Sequence, residues 1–240
     1  MERDYLIAGL RIRMDTWGRT EVQAEPYLTD TVGEADIVIN SNSSTECLQK
    51  KNPHLSMDDC EYLTTGVIFY RQLMKFDGMM LHASAVVMDG YAYLFSAPCG
   101  TGKSTHTTMW RMAFGEEKVI MLNDDKPALR YENGRWYAYG TPWSGKTAQN
   151  TNIRVPLGGI CMLTRGETNE IAPYVGIRTA MELMEQTTRP ATAEGRGIML
   201  EMMDKLLTSV PVWKLKCTPT PEAAIVSHKA MSEEAKKRFG

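Results

Sequence analysis

Neither sign of charge dominates this chain. Its 240 residues carry 27 basic and 29 acidic side chains, a net charge of -2, so the basic excess that marks most nucleic-acid binders is missing. No apolar run reaches the roughly 20 residues needed to cross a bilayer. The charged start, Met1-Glu2-Arg3-Asp4, is followed by no apolar signal core. The expectation is a soluble cytoplasmic protein with no nucleic-acid or membrane partner. Cysteine is sparse and odd in number: Cys47, Cys60, Cys99, Cys161 and Cys217, with no C-x-x-C pair. That argues against a disulfide framework and a structural zinc site. Repeats and low-complexity tracts are also missing. What is present is a 43% hydrophobic fraction, enough for one large domain or one domain plus a small lobe. The 17 methionines read mainly as core filler.

Hydrophobic periodicity divides the chain near residue 77. Before it, Tyr5–Met14 and Ala35–Asn40 read as strands, Ser41–Asp59 as a polar segment and Tyr62–Phe76 as a helix. Residues 1–76 are thus a small strand-rich lobe with a helix. Residues 77–240 open with a hairpin signal: Leu81–Met88, the turn Asp89-Gly90, then Tyr91–Phe95. Gly102–Phe114 reads as a helix and Val119–Leu122 as a short strand. Asn133-Gly134 joins the strands Pro127–Tyr131 and Arg135–Tyr139. A Gly/Pro/Ser-rich loop covers Gly140–Asn152, and Ile153–Leu163 is a strand interrupted at Gly158-Gly159. Helices follow over Thr179–Gln186, Gly197–Leu207 and from Thr220-Pro221 to Lys236. Interleaved strands and helices with hairpins predict an α/β (α+β) class built on a mixed sheet.

The most informative stretch is Ala97-Pro-Cys99-Gly100-Thr101-Gly102-Lys103-Ser104-Thr105, which matches [A/G]-x-x-x-x-G-K-[S/T]. Glycines at 100 and 102 let the backbone turn N–H groups inward around phosphate oxygens. Lys103 adds positive charge at the β/γ-phosphates, Ser104 offers a hydroxyl to Mg²⁺, and the following helix aims its positive end at the same anion. A strand before and a helix after are the context such a loop needs. A nucleoside triphosphate, ATP, with Mg²⁺ is the cofactor expected at residues 99–105. Cys99 lies within the loop, exposed to alkylation or oxidation there.

A carboxylate is needed for the metal. Asp124-Asp125 follow the apolar strand, at the position of a metal-organising acid. Adjacent carboxylates can divide the work, one holding Mg²⁺ through water and one accepting a proton from the attacking hydroxyl; Asp125 with Ser104 is the metal assignment. The Asp89-Gly90 turn fixes a register in which partner numbers sum to 179. If pairing persists outward, His82 faces Ala97 and sits beside the phosphate loop, as a catalytic or as a structural histidine.

His82-Ala-Ser, the hairpin, Gly100-Thr-Gly-Lys-Ser-Thr105 and Asn123-Asp-Asp125 together resemble the catalytic domain of the HPr kinase/phosphorylase family, itself related to phosphoenolpyruvate carboxykinase. The resemblance covers roughly residues 77–165. It implies a carboxykinase-like P-loop nucleotide-binding fold, phosphate and metal roles for Lys103 and Ser104, metal and acceptor roles for Asp124 and Asp125, and a catalytic-centre role for His82. A signature resembling E-x-R-G-L-G-I is missing. In its region stand Gly140-Thr-Pro-Trp143-Ser-Gly-Lys146 and Arg154-Val-Pro-Leu-Gly-Gly-Ile160, so the chain resembles a divergent member.

Lys146 can close over phosphates or be a solvated loop lysine. Trp143 can line a ligand cleft or pack in the core. Arg154, Arg189 and Arg196 are candidates to neutralise charge developing in phosphoryl transfer. The leading function is an ATP- and Mg²⁺-dependent phosphotransferase acting on a Ser/Thr hydroxyl of a small protein or peptide. A small-molecule kinase and a non-catalytic ATP-sensing module stay open as alternatives. A homo-oligomer is compatible with any of these.

Overall fold

The chain folds as an α/β protein around a curled, mixed sheet. The computed structural model describes residues 2–31 and 33–239. The first elements are β1 (Arg3–Ile7), β2 (Leu10–Met14), α1 (Gly18–Ala24), β3 (Ile37–Ile39), α2 (Asn42–Lys51) and α3 (Met57–Leu73). The single strand expected over Tyr5–Met14 is in fact a hairpin, with Ala8 and Gly9 at φ 52° and 73°, the turn geometry that matches strand twist. Ala8 carries no turn signal, so the apolar alternation runs straight through the bend. The polar stretch Ser41–Asp59 likewise contains α2 and the start of α3. In α2 only Thr45 is buried, and a helix with so little apolar surface leaves no periodic trace. α3 starts where Ser56 accepts from the Asp59 amide at 3.0 Å, with Asp58 and Asp59 in the first turn.

Then follow β4 (Gly78–Met80), β5 (Ala83–Met88), β6 (Tyr91–Ser96), α4 (Lys103–Phe114), β7 (Ile120–Asn123), β8 (Ala128–Glu132), β9 (Arg135–Tyr139) and β10 (Arg154–Arg165). The chain closes with β11 (Glu170–Pro173), α5 (Ile177–Glu185), α6 (Ala193–Ser209), β12 (Val212–Cys217) and α7 (Pro221–Phe239). The large sheet runs β4-β8-β9-β10-β6-β5-β7, with β12 beside β10 and β11 outside β12. Neither β11 nor β12 was expected: Lys214 and Lys216 break the apolar run of β12.

β10 causes the curl. Its first residues pair antiparallel with β9, and further along it runs parallel to both β6 and β12. The interruption expected at Gly158-Gly159 is instead a register shift against β6 within a continuous strand. These glycines serve close approach: a Cβ on Gly158 would lie 2.9 Å from the Tyr93 ring, and one on Gly159 2.4 Å from the Trp213 indole.

Three apolar cores result. Met199, Met203 and Leu206 of α6 cover one face of the sheet over Leu94, Ile160 and Met162. On the other face, Trp110 of α4 and Met231 of α7 cover Val86, Phe95 and Cys161. The third joins Tyr5, Ile12 and Phe69 of the N-terminal layer to Ala128, Tyr139 and Trp143. Trp143 is fully buried, stacked 4.8 Å from Phe69, and donates through Nε1 to Thr65 Oγ1 at 3.2 Å. It therefore packs against α3, and it also borders a small cavity of about 60 Å³ with Tyr62 and Lys126.

Gly66 makes that packing possible. A Cβ there would lie 2.9 Å from Trp143 Cδ1. Alanine is the better helix former by about 1 kcal/mol, yet overpacking costs about 1–3 kcal/mol, so Gly66→Ala should lower stability in chemical denaturation; a gain would show that the indole yields freely.

Glu61 supplies a second test. It is fully buried and one oxygen accepts from Thr20 Oγ1, while Oε1 has no partner. Burial raises its carboxyl to about 7, with the Thr20 bond opposing. The folded state therefore holds a proton that the unfolded state has already lost, and stability falls as pH rises from the ordinary carboxylate range to about 7. Glu61→Gln should raise Tm by a few degrees at pH 8 and change it little at pH 4.5. A pH-independent difference in melting curves would exclude this account.

Candidate functional site

β6 delivers the buried Ala97 to the mouth of a loop whose next residues, Pro98, Cys99 and Gly100, are exposed. Gly100 and Gly102 have φ of 77° and 121°. A Cβ at either would meet nothing within 4 Å, so what requires glycine is backbone conformation and not space. α4 begins at Lys103, with His106 N donating to Gly102 O at 2.9 Å. Ser104 and Thr105 are exposed on its first turn.

Lys103 is only 8% exposed and its Nζ donates to Ala97 O at 3.0 Å, spanning the base of the loop. Burial pulls its ammonium below the usual lysine range, and the charges of Asp125, Cys99 and Asp124 oppose that pull. Arg165, at the end of β10, fastens the loop from the other side by donating to Thr101 O at 3.2 Å and to Gly100 O. Beside this fastening lies a cavity of about 350 Å³ between Thr101 and Thr105 on one wall and Arg165 and Thr218 on the other.

Asp124 and Asp125 follow β7 directly. Asp124 is 7% exposed. Its Oδ1 accepts from Ser84 Oγ at 2.6 Å and its Oδ2 from Thr147 Oγ1 at 2.9 Å. Ser84 Oγ lies 2.8 Å from Thr107 Oγ1, whose single proton goes either to Ser84 Oγ or to Ser104 O at 3.0 Å. The acid is thus tied through Ser84 to Thr107 of α4.

Asp125 points the other way. Its Oδ1 lies 3.3 Å from His82 Nε2, and its Oδ2 accepts from Lys126 Nζ. Burial alone would raise its carboxyl, but the His82 hydrogen bond and the Lys126 charge prevail and hold it at about 2. Asn123 shapes the turn, its Oδ1 accepting from the amides of Asp125 and Lys126 at 2.9 and 2.7 Å.

His82 is not a partner of Ala97. The β5–β6 ladder keeps the sum of 179 only to Ala83–Ser96. There Ser96 Oγ donates to His82 O at 2.9 Å and strand pairing stops. The His82 amide then donates to Gln186 O at 2.7 Å and Nδ1 sits 3.1 Å from Gln186 Oε1. Both ring nitrogens are therefore engaged, one by Gln186 and one by Asp125.

The loop after β9 closes the acid side. Gly145, at φ 76°, lets the backbone approach so closely that a Cβ would lie 3.1 Å from Asp125 Cβ. The N-terminal layer holds this loop: Gly145 N donates to Tyr62 Oη at 2.7 Å, and Gln23 Nε2 donates to Gly145 O at 3.0 Å.

His82 and Asp125 are thus in contact, Asp124 adjoins them, and Lys103 lies within the field of both carboxylates. Cys99, Gly100, Thr101, Gly102, Ser104 and Thr105 form the adjoining loop. Lys146 is exposed, with no hydrogen bond or ion pair among the described residues. Arg154 is held by Glu132 at 2.8 Å and lies over the Tyr137 ring. Arg189 and Arg196 line a groove between α5 and α6. Ser84, Lys126, Thr147, Arg165 and Gln186 escape sequence reasoning. Ser84 lies two residues from His82 and carried a signal of position, whereas Gln186, over a hundred residues away, carried none.

Among the described residues, no group of three or more His, Cys, Asp or Glu converges as a metal cage. The oxygen set of Ser104 with Asp124 or Asp125 suits a cation that keeps water and phosphate oxygens in its shell, as Mg²⁺ does.

Among solved structures, the Hpr(Ser) kinase/phosphatase from Coxiella burnetii is similar with a TM-score of 0.39 at 12% identity, covering 67% of this chain and 99% of that one. A likeness of that size assigns nothing to individual residues here. No curated protein matches the sequence. The sequence model of SynChlorMet cassette protein ScmC matches residues 49–219, more than half of the chain. The chain belongs to the SynChlorMet cassette protein ScmC family.

Proposed function

We propose that the chain is an ATP- and Mg²⁺-dependent phosphotransferase that acts on a Ser/Thr hydroxyl of a small protein or peptide, with residues 77–240 as its catalytic part and residues 1–76 as a supporting lobe. One observation carries the proposal: the helix of the phosphate loop and the acid pair are held against each other. Lys103 lies in the field of both carboxylates, and Asp124 is tied through Ser84 to Thr107 of α4. An ordinary glycine turn has no need of a buried lysine facing two acids.

In this scheme the amides of residues 99–105 and Lys103 hold the phosphates, drawing on the positive end of α4. The cavity between Thr101 and Arg165 takes the nucleoside, its rim supplying hydroxyls and a guanidinium. Ser104 and Asp124, in place of the Asp125 expected from the sequence, would hold Mg²⁺, which would supply neutralising charge on the phosphate oxygens. Asp125 receives the hydrogen bond of the acceptor hydroxyl. Its carboxyl near 2 makes it a weak base, so it acts chiefly by orienting the hydroxyl, which suits a transfer whose transition state is loose and dominated by positioning. His82, anchored by Gln186, and Lys126 keep Asp125 ionised and aimed.

Lys103→Ala should lower kcat/KM for ATP by at least about 10²-fold, the scale of losing one charge-stabilising donor. Wild-type ATP consumption by that variant would overturn the proposal. Asp125→Asn should keep ATP binding in calorimetry and lose transfer of labelled phosphate by about 10²–10⁴-fold. Asp124→Asn should instead raise the Mg²⁺ concentration needed for half-maximal rate; unchanged behaviour in both variants would show the acids to be misassigned.

A further inference from the structure

We propose that the groove between α5 and α6 recognises the acceptor peptide through an acidic side chain next to an apolar one, an inference that rests on the phosphotransferase reading of the neighbouring site. The groove has a volume of about 470 Å³, and Met184, Met199 and Leu200 supply an aliphatic and thioether floor. Methionine adapts its shape to varied apolar side chains, which suits a surface that must accept a peptide.

Charge selects the class of ligand. Arg189 and Arg196 both line the groove. Arg189 is exposed, with no hydrogen bond or ion pair among the described residues, while Arg196 donates only to Ala191 O, at 2.9 Å. Glu185 also lines the groove, and among the described residues it forms no ion pair with either. Two guanidiniums without carboxylate partners, set over an apolar floor, offer planar donor forks to an incoming Asp or Glu.

Position ties the groove to the acids. Thr187 lines it and donates to Met80 O at 2.7 Å, one residue after the Gln186 that engages His82. Thr188 belongs to the groove and also to a small cavity of about 60 Å³ bounded by Tyr62, Met80 and Lys126. Lys126 is the partner of Asp125. A track therefore runs from the arginines, past Thr188, to the carboxylate proposed to hold the acceptor hydroxyl. A peptide can reach along it, whereas a metabolite bound at Asp125 leaves the arginines without a role.

The test uses the full chain and fluorescein-labelled, C-terminally amidated peptides that contain one Ser and one Leu, together with Glu, Gln or Lys at the same place. Anisotropy with Mg²⁺ and a slowly hydrolysed ATP analogue should show the Glu peptide binding about tenfold tighter than the Gln peptide, with the margin shrinking in high salt. Arg189→Glu combined with Arg196→Glu should remove that margin and favour the Lys peptide, without changing affinity for the analogue. Should the reversed variant misfold, Arg189→Gln with Arg196→Gln should still erase the Glu-over-Gln margin. Equal binding of Glu and Gln peptides by the wild type, or an unchanged ranking in a folded variant, would overturn the groove. Phosphorylation of the same peptides by ATP separates the two readings. Acid-dependent binding without phosphorylation keeps the groove and removes phosphotransfer; phosphorylation blind to the acid does the reverse.

Discussion

A carboxylate taken out of water must find donors, and Asp124 collects its donors from opposite sides of the molecule. Ser84 comes from β5 in the middle of the sheet and Thr147 from the loop after β9, while Thr107 of α4 stands behind Ser84. None of these elements can shift without leaving a buried charge partly unsatisfied, a loss that exceeds that of an ordinary hydrogen bond. The burial of one acid therefore fixes the phosphate-loop helix, the central hairpin and the acid-side loop relative to one another.

The N-terminal layer completes that constraint from outside the sheet. Thr147 can serve Asp124 only if its loop is held, and the loop is held by Gln23 of α1 and by Tyr62 of α3. Trp143, at the root of the same loop, is locked against Phe69 and Thr65 of α3. Tyr70 adds a further tie by donating to Lys126 O beside the acids. Residues that look like a separate lobe in sequence thus supply the wall against which Asp125 and Lys126 are set. The close approach of Gly145 to Asp125 and of Gly66 to Trp143 marks the two places where that wall has no room to spare.

How much of this was legible in the sequence depended on the range of each interaction. The hairpin at Asp89-Gly90 and the loop from Ala97 to Thr105 declare themselves because turn chemistry and a phosphate cradle are local in sequence. The register of that hairpin was legible to Ala83–Ser96 and no further. Beyond that pair, His82 is steered by Gln186 and Asp125, and tertiary contacts leave no trace in strand spacing. The turn at Ala8-Gly9 was hidden because its first residue is an alanine, where the recognised turns have Asp or Asn. α2 was hidden because it buries almost nothing, and β12 because Lys214, bonded to Glu182 of α5, and the exposed Lys216 interrupt its apolar run. Asp124 and Asp125 were recognisable as a pair, but their separate surroundings were not: one is enclosed by hydroxyls and the other by a histidine and a lysine.

That separation is the physical basis for giving the two acids different tasks. In the proposed reaction a triphosphate brings several negative charges to a site whose own formal charges cancel, Lys103 and Lys126 against Asp124 and Asp125. The surplus requires a cation, and a hard divalent one prefers the acid whose present partners are neutral hydroxyls that yield without loss of a charge pair. That acid is Asp124. Asp125 already has His82 and Lys126, so a metal there would have to displace the imidazole or lie against the Lys126 ammonium. The same two groups that disfavour a metal at Asp125 keep its carboxylate ionised, which is the state needed to receive the hydrogen bond of a hydroxyl. The electrostatics of the unliganded cluster thus favour Asp124 with Ser104 on the phosphate side and leave Asp125 with His82 on the side from which an acceptor must approach.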